Sequence, residues 1–396
     1  MKTASLALPG TLALSAPPPL SLYIHIPWCV RKCPYCDFNS HQADGGVPEM
    51  AYAEALLRDL ELALPQIWGR KIGSIFFGGG TPSILSGEAL DKILCGIRAL
   101  VPLEAGAEIS LEANPGTVDA NRFAEYRAAG VNRLSLGIQS FNRHHLKALG
   151  RIHDEHEARQ AVELARAHFD NINLDLMYAL PGQTLEEVLS DIHAALDYKP
   201  QHLSAYHLTI EPNTWFYHHP PEVPDDDLSA SMQEEIESLL AAHGYQHYET
   251  SAFSLAQHQC RHNLNYWLFG DYLGIGAGAH SKLSLPDRIV RQARQRQPQA
   301  YLEASGQGRP IQTEQEVLIA DLGFEFMMNV LRLTGGFSLG LFARRTGLSV
   351  AALQDSLDVA VQRGLLEIDG QHVRPTLLGQ RFLNDLLQLF LTGDDV

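Results

Sequence analysis

Cys29, Cys33 and Cys36 stand at the spacing C-x-x-x-C-x-x-C, directly after the apolar run Leu22-Tyr23-Ile24-His25-Ile26. Three thiolates so close together are a ligand set for a soft metal. They are one short of the four that a closed iron-sulfur cluster or a structural zinc site takes, so an open coordination position is implied. Two plainer readings stay open: a zinc knuckle completed by His25 or His41, and a disulfide with a spare thiol. The chain has five cysteines and no visible secretory signal, which fits a reducing compartment better than a disulfide framework. Cys95, in Leu94-Cys95-Gly96-Ile97, is expected to be a buried small hydrophobe.

Other polar residues recur at the ends of apolar runs. Gly78-Gly79-Gly80-Thr81-Pro82 would let a ligand approach the backbone closely, although a plain tight turn would look similar. Glu112, Gln139 and Arg151 follow later runs, and Asp175 lies inside Asn173-Leu174-Asp175-Leu176. A carboxylate in an apolar strand is costly to bury unless it is paired or ligand-bound. Asp175 is therefore expected either to pair within the fold, with Arg151 as partner, or to accept ribose or amine donors alongside Glu112. Further on come His262-Asn263-x-x-Tyr266-Trp267 and the alternating Gly274, Gly276 and Gly278, a pattern that suits a strand packed against a flat ligand or another backbone.

The elements that must position these residues follow from hydrophobic period. Short β-rich runs at 21–26, 73–77, 107–112, 133–138, 171–177 and 203–209 alternate with helical stretches at 48–64, 86–100, 117–129, 154–168, 184–197 and 225–242. That alternation predicts an α/β fold with a parallel sheet, and six βα units are too few to close an eight-stranded barrel. A partial (βα)6 TIM-like barrel is expected over 20–242, after a flexible tail at 1–20. A β extension carrying the His262 motif should follow over 243–314. The remainder, 315–396, reads as helices, a hairpin at Asp369-Gly370 and a helix at 377–391, which is winged-helix-like. Its candidate recognition helix has few basic residues, so a packing or docking module is expected rather than a DNA reader.

Composition narrows the partners. With 396 residues, 45% hydrophobic and 19% charged, the chain should be globular, and its net charge of −16 repels polyanions such as nucleic acid. No apolar run approaches a bilayer-spanning length, so any membrane role would be peripheral. The basic stretch Arg288, Arg291, Arg294 and Arg296 is expected to be a solvated connector, with propionate or acidic-lipid contact as the other reading.

The cysteine block resembles the radical S-adenosylmethionine (SAM) enzymes, whose signature has this spacing with an aromatic before the third cysteine, here Tyr35. The resemblance implies a partial barrel and a 4Fe-4S cluster held by Cys29, Cys33 and Cys36, its open iron chelated by the amino and carboxylate groups of SAM. The cluster and SAM would supply the hard chemistry, a 5′-deoxyadenosyl radical. Longer blocks sharpen the likeness: Tyr23-Ile24-His25-Ile26-Pro27-Trp28-Cys29, the glycine run, Asp175 to Thr184, and the winged-helix-like tail. Together they are similar to the oxygen-independent coproporphyrinogen III oxidase family. The resemblance implies SAM contacts by Tyr23, Tyr35, Gly79, Gly80, Thr81, Glu112, Gln139, Arg151, Asp175 and Thr209, with Arg151 on a carboxylate.

Two departures set the chain apart from the oxidase itself. Phe38 stands where the oxidase has a further cysteine, and the Ala/Pro-rich start lacks the oxidase's Arg- and Tyr-bearing arm. Both departures, with Cys36-Asp37-Phe38-Asn39-Ser40 and the His262 motif, match the heme chaperone branch of that family. This likeness implies heme as cargo, with His262, Asn263, Tyr266 and Trp267 as heme candidates; by residue type alone, Cys260 and His280 are axial candidates ranked behind His262. It also implies a heme-accepting partner such as a respiratory protein, and a cytoplasmic location with peripheral contact at the membrane left open. A homodimer is likewise left open. The alternative is the oxidase reaction, decarboxylation of coproporphyrinogen III to protoporphyrinogen IX.

Overall fold

The apolar runs become the middle of one sheet. Strands β1 (Leu20–Ile26), β2 (Ile72–Gly79), β3 (Leu103–Ala113), β4 (Arg133–Gln139), β5 (Ile172–Tyr178) and β6 (His202–His207) lie side by side in that order. Each neighbouring pair is parallel. A helix follows each strand: α1 (Glu49–Ile67), α2 (Gly87–Leu100), α3 (Ala120–Ala129), α4 (Glu155–His168), α5 (Leu185–Asp197) and α6 (Asp226–Ala242). Their starts are written locally. Ser86 caps α2, and Asp154 with Glu157 and Thr184 with Glu187 form capping boxes on α4 and α5. Leu22, Ile24, Ile75, Leu111 and Leu136 face these helices in the main core.

The computed structural model describes residues 12, 14, 16–43 and 45–391. Most of the expected tail therefore lies outside the described residues, although Leu12 is buried in the C-terminal core. The sheet does not stop at residue 242. Strands β7 (Gln246–Glu249) and β8 (Ala252–Ser254) extend it antiparallel beyond β6. On the other side β9 (Asp271–Ile275) pairs parallel with β1, followed by antiparallel β10 (His280–Ser284), β11 (Ile289–Arg294) and β12 (Ile311–Glu316). The order is β12-β11-β10-β9-β1-β2-β3-β4-β5-β6-β8-β7, and the two end strands do not pair with each other, so the barrel is open as expected.

The glycine alternation serves backbone packing. A Cβ at Gly274 would collide with the carbonyl of His280 on β10, and one at Gly276, just past β9, with that of His25 on β1, so the backbones meet this closely only without side chains there. The basic stretch is not the solvated connector expected. Its middle is β11, in which Arg294 is fully buried against Asp59 and Arg291 is paired with Glu325, while Arg288, paired with Asp287, and the exposed Arg296 flank the strand.

The C-terminal region has its own core, built from Phe326, Phe342, Leu357 and Val373 and joined to the extension through Phe269. Helices α9 (Leu322–Val330), α10 (Leu339–Thr346) and α11 (Gln354–Gln362) precede the hairpin Leu366–Asp369/His372–Pro375, after α7 (Arg261–Trp267) and α8 (Pro298–Gly306) in the extension. The single helix expected at 377–391 is two, Leu377–Arg381 and Leu383–Gln388, because Phe382 leaves helical geometry at φ −106°, ψ 45°. No helix among the described residues is long and apolar enough to cross a membrane.

Candidate functional site

Period two along each strand turns the other set of side chains inward, and the register then aligns them in rows. Glu112, Ser135, Asn173 and His202 are lateral neighbours across β3 to β6; Gly137, Asp175 and Ser204 form the next row. The inner face is therefore polar although each strand reads as apolar. Ser135 Oγ donates to Asp175 Oδ2 at 2.8 Å, and Asn173 Nδ2 donates to Asp175 Oδ1 at 2.8 Å. His202 Nδ1 meets Asn173 Oδ1 at 2.6 Å. Asp175 is thus held by neutral donors and not by Arg151, which corrects the ion pair read from sequence.

Arg151 sits instead at the cysteine loop. Its Nη2 donates to the carbonyl of Gly137 at 2.8 Å and its Nη1 reaches Cys33 Sγ at 3.7 Å. Its Nε is buried and, among the described residues, unpartnered. A guanidinium edge left open at this place is what a carboxylate ligand would fill. Gln139, on the adjoining strand end, adopts φ +68°, a left-handed backbone that costs a non-glycine residue about 1 kcal/mol or more.

The glycine run closes over the same loop. Gly80 N donates to the Ile26 carbonyl and Thr81 N to that of Trp28, both at 2.7 Å. A Cβ at Gly79 would lie 2.5 Å from His25 Cε1, and one at Gly80 would lie 2.5 Å from the Trp28 carbonyl oxygen. The backbone is therefore pressed against the end of β1. Cys29, Cys33 and Cys36 are free and partly buried. Burial pushes the Cys29 and Cys36 thiols above the usual range, opposed by the Thr81 hydroxyl at Cys29 and by the Phe38 backbone at Cys36. No group of three or more His, Cys, Asp or Glu among the described residues is already arranged as a metal site. His25, the first zinc candidate, has both ring nitrogens engaged, by Tyr23 Oη at 3.1 Å and by the Asn39 carbonyl at 2.8 Å. Cys95 is exposed beside Asp91, not buried as expected, because it lies on the outer face of α2.

Burial, and then the charge of Asp175, pushes the Glu112 carboxyl up to about 8. Tyr23, Gly79 and Glu112 line a cavity of about 630 Å³ that also reaches Phe38, His280 and Arg296. Tyr35 packs near Phe216, with ring centroids 6.4 Å apart. Thr209 stands apart: it is exposed past the end of β6 and lines neither this cavity nor the smaller one beneath it.

The His262 motif lies on α7, whose first turn is tied to Glu108 of β3 through the backbone N–H groups of Arg261 and His262. His262 is buried, with Nδ1 at 3.0 Å from Ser74 Oγ and Nε2 at 3.0 Å from Tyr266 Oη. Burial, with Arg133 nearby, pushes its pKa down to about 3, so the ring is neutral. Asn263 and Tyr266 border the inner cavity of about 160 Å³, and Tyr266 also borders the larger one. Trp267 faces the C-terminal region, under the Arg332 guanidinium at 4.3 Å from its ring centre.

Residues 23–195 match the model of the radical SAM superfamily, and 320–382 match that of the HemN C-terminal domain. A relative from Escherichia coli (strain K12), named heme chaperone HemW, is 50% identical over 376 residues, which cover 94% of this chain and 98% of that protein. The chain belongs to the HemW family. A HemW from Haemophilus influenzae is 49% identical, covering 95% of this chain and 99% of its own. The fold matches coproporphyrinogen III oxidase (HemN) from Escherichia coli, described as a radical SAM enzyme, at TM-score 0.80 and 23% identity over 94% of this chain and 90% of that one.

Membership of the radical SAM superfamily implies a 4Fe-4S cluster and SAM, and the residues fit both. Three thiols stand beside the unpartnered Arg151 edge and a glycine cradle that any Cβ would fill. When bound, the pair would supply one-electron cleavage of a carbon-sulfur bond; the chain would supply position and shielding. Sequence reasoning on this HemW family member missed Arg133, Ser135, Asn173 and His202 on the inner face. The signal was present as polar residues at period two inside β4, β5 and β6. It missed Thr313 and Gln312 as well, and there nothing in the polar stretch Ile311 to Glu316 marks a strand.

Proposed function

We propose that this protein is a cytoplasmic heme chaperone that binds a 4Fe-4S cluster, with SAM at its open iron, and carries heme to an acceptor such as a respiratory heme protein at the membrane surface. The observation that carries the reading is a cavity of about 630 Å³ beside the cysteine loop, with Phe38 in its wall where the oxidase resemblance calls for a cysteine. That volume lies within the range of about 300–1,000 Å³ usual for small-molecule sites. The names of the HemW relatives support the same cargo.

Anaerobic reconstitution with iron and sulfide, followed by titration with heme, tests the proposal. The expected result is a Soret band that saturates near one heme per chain, with cluster absorption that responds to added SAM. Wild-type protein without a heme spectrum would remove the chaperone reading. Accumulation of protoporphyrinogen from coproporphyrinogen III, SAM and a reductant would replace it with the oxidase reaction.

SAM contact by Glu112 carries a pH signature. Below about 8 its carboxyl holds a proton in the ligand-free protein, because burial and Asp175 oppose ionisation. The ionised form presents two acceptor oxygens, whereas protonation turns one of them into a donor, so contact with SAM donors favours release of that proton, and affinity should rise as pH rises toward about 8 and then level off. Calorimetry on the cluster-loaded protein should show a rise of at most about tenfold per pH unit. Glu112→Gln should flatten the profile; a variant with the wild-type slope would assign the proton elsewhere.

A further inference from the structure

The large cavity has two ends. Tyr23, Gly79 and Glu112 mark one, shared with the SAM contacts; His280, Ala293, Arg296 and Thr313 mark the other, where none of those contacts lies. We propose that the tetrapyrrole occupies this second end, with the His280 imidazole as an axial ligand of its iron and Arg296 on a propionate. The inference rests on the heme chaperone reading.

Register gives the floor. His280 pairs with Ala293 across β10 and β11, and Ala293 pairs with Thr313 across β11 and β12. Lateral neighbours project from one face of a sheet. The row is therefore imidazole, methyl, hydroxyl, with its low point in the middle, a floor on which a planar ring can rest beside a donor nitrogen.

Availability selects the histidine. The cavity is lined by two, His25 and His280. Both nitrogens of His25 are bonded within the protein, and so are both nitrogens of the deeper His262, whose Nε2 would have to give up Tyr266. His280 is exposed to the cavity. Partial burial and then Arg291, Arg296 and Arg294 lower its pKa, which keeps a lone pair free for a metal.

The rest of the rim suits a dianionic ring. Arg291 is committed to Glu325 and Tyr272, and Arg294 to Asp59, whereas Arg296 is exposed and in no ion pair among the described residues. A guanidinium matches a propionate bidentately. Opposite stands Phe38, 60% exposed, an apolar face left in water unless something flat covers it. The walls are tied together: Asn39 Nδ2 donates to the carbonyls of Ala277 at 3.0 Å and Arg296 at 2.9 Å. Gly278 permits this crossing, since a Cβ there would collide with Asn39.

The test is heme titration of the full-length, cluster-reconstituted protein, read by the Soret band in both iron oxidation states. His280→Ala should weaken binding by about tenfold or more and move the band, and added imidazole should restore its wild-type position. Arg296→Gln should weaken binding severalfold while the band stays in place, because it does not touch the iron. Both positions are exposed, so folding is not at stake, and circular dichroism checks it. A wild-type band and affinity in His280→Ala, or a band that moves with His262→Gln but not with His280→Ala, overturns this assignment while leaving the chaperone reading intact. Failure of the wild type to bind heme removes both.

Discussion

Cys33→Ala protein, reconstituted without oxygen, should retain iron and sulfide only at background and show no spectral response to SAM. The reason is the ligand count. Three cysteines already leave one vertex open, and with two a cubane cluster has half its sites exposed to solvent and chelators. Cys33 also accepts from the Arg151 guanidinium, Nη1 to Sγ at 3.7 Å, so its loss removes the sulfur that this side chain faces. Cys95→Ala is the matched control, because Cys95 is exposed on α2 and its thiol bonds to Asp91 on the same helix. It should keep wild-type iron, sulfide and SAM response. Stoichiometric zinc in both proteins would sink the cluster and leave the knuckle reading.

Asp271→Ala should lower stability by about 3–5 kcal/mol, the usual cost of removing one partner from a buried ion pair. Asp271 has no exposed side chain and accepts four bonds: Lys282 Nζ at 3.0 Å, Ser284 Oγ at 2.7 Å, Arg70 Nη1 at 2.8 Å and Ser284 N at 2.9 Å. It opens β9, the strand wedged beside β1, so it joins the extension to the barrel. Without it the Lys282 ammonium is stranded, 2% exposed, over the ring of Phe269. Urea midpoints measure the loss. The double variant Asp271→Ala/Lys282→Met should recover part of it, since the fully buried ammonium is gone while Arg70, 12% exposed, still loses its carboxylate and keeps the Pro18 carbonyl. Equal instability of single and double would place the cost in the lost Arg70 and Ser284 bonds instead. Burial alone would raise the Asp271 carboxyl, but Lys282 and Arg70 outweigh it and hold it below the usual range. The stabilisation is therefore present above the unfolded value of about 3.9 and is lost as pH falls through the folded one.

How much could be read beforehand differs from element to element. Strands β1 to β6 and their helices were legible because each is a local pattern: an apolar run, a cap, a helical period. Capping at Ser86, Asp154 and Thr184 is written within four residues, and so is the cysteine spacing. β9 and β12 were not. β9 owes its place to Gly274, whose missing Cβ admits β10, and to Gly276 just past its end, whose missing Cβ admits the end of β1, and β12, exposed at nearly every position, is a strand only because β11 offers it an edge.

The site divides along the same line. Sequence by itself determined the cysteines and their spacing, and with the resemblance it set the expectation of an open metal position and a heme cargo, because these depend on residue identity over short separations. Tertiary structure alone decided that Asp175 bonds to Ser135 and Asn173 while Arg151 turns to Cys33. It also decided that His262 spends both nitrogens on Ser74 and Tyr266 while His280 faces the cavity. A hydrogen bond between residues far apart in the chain leaves no trace in the composition of either segment. It exists only once strand register has fixed which side chains share a face, and that register is set by the packing of the whole sheet.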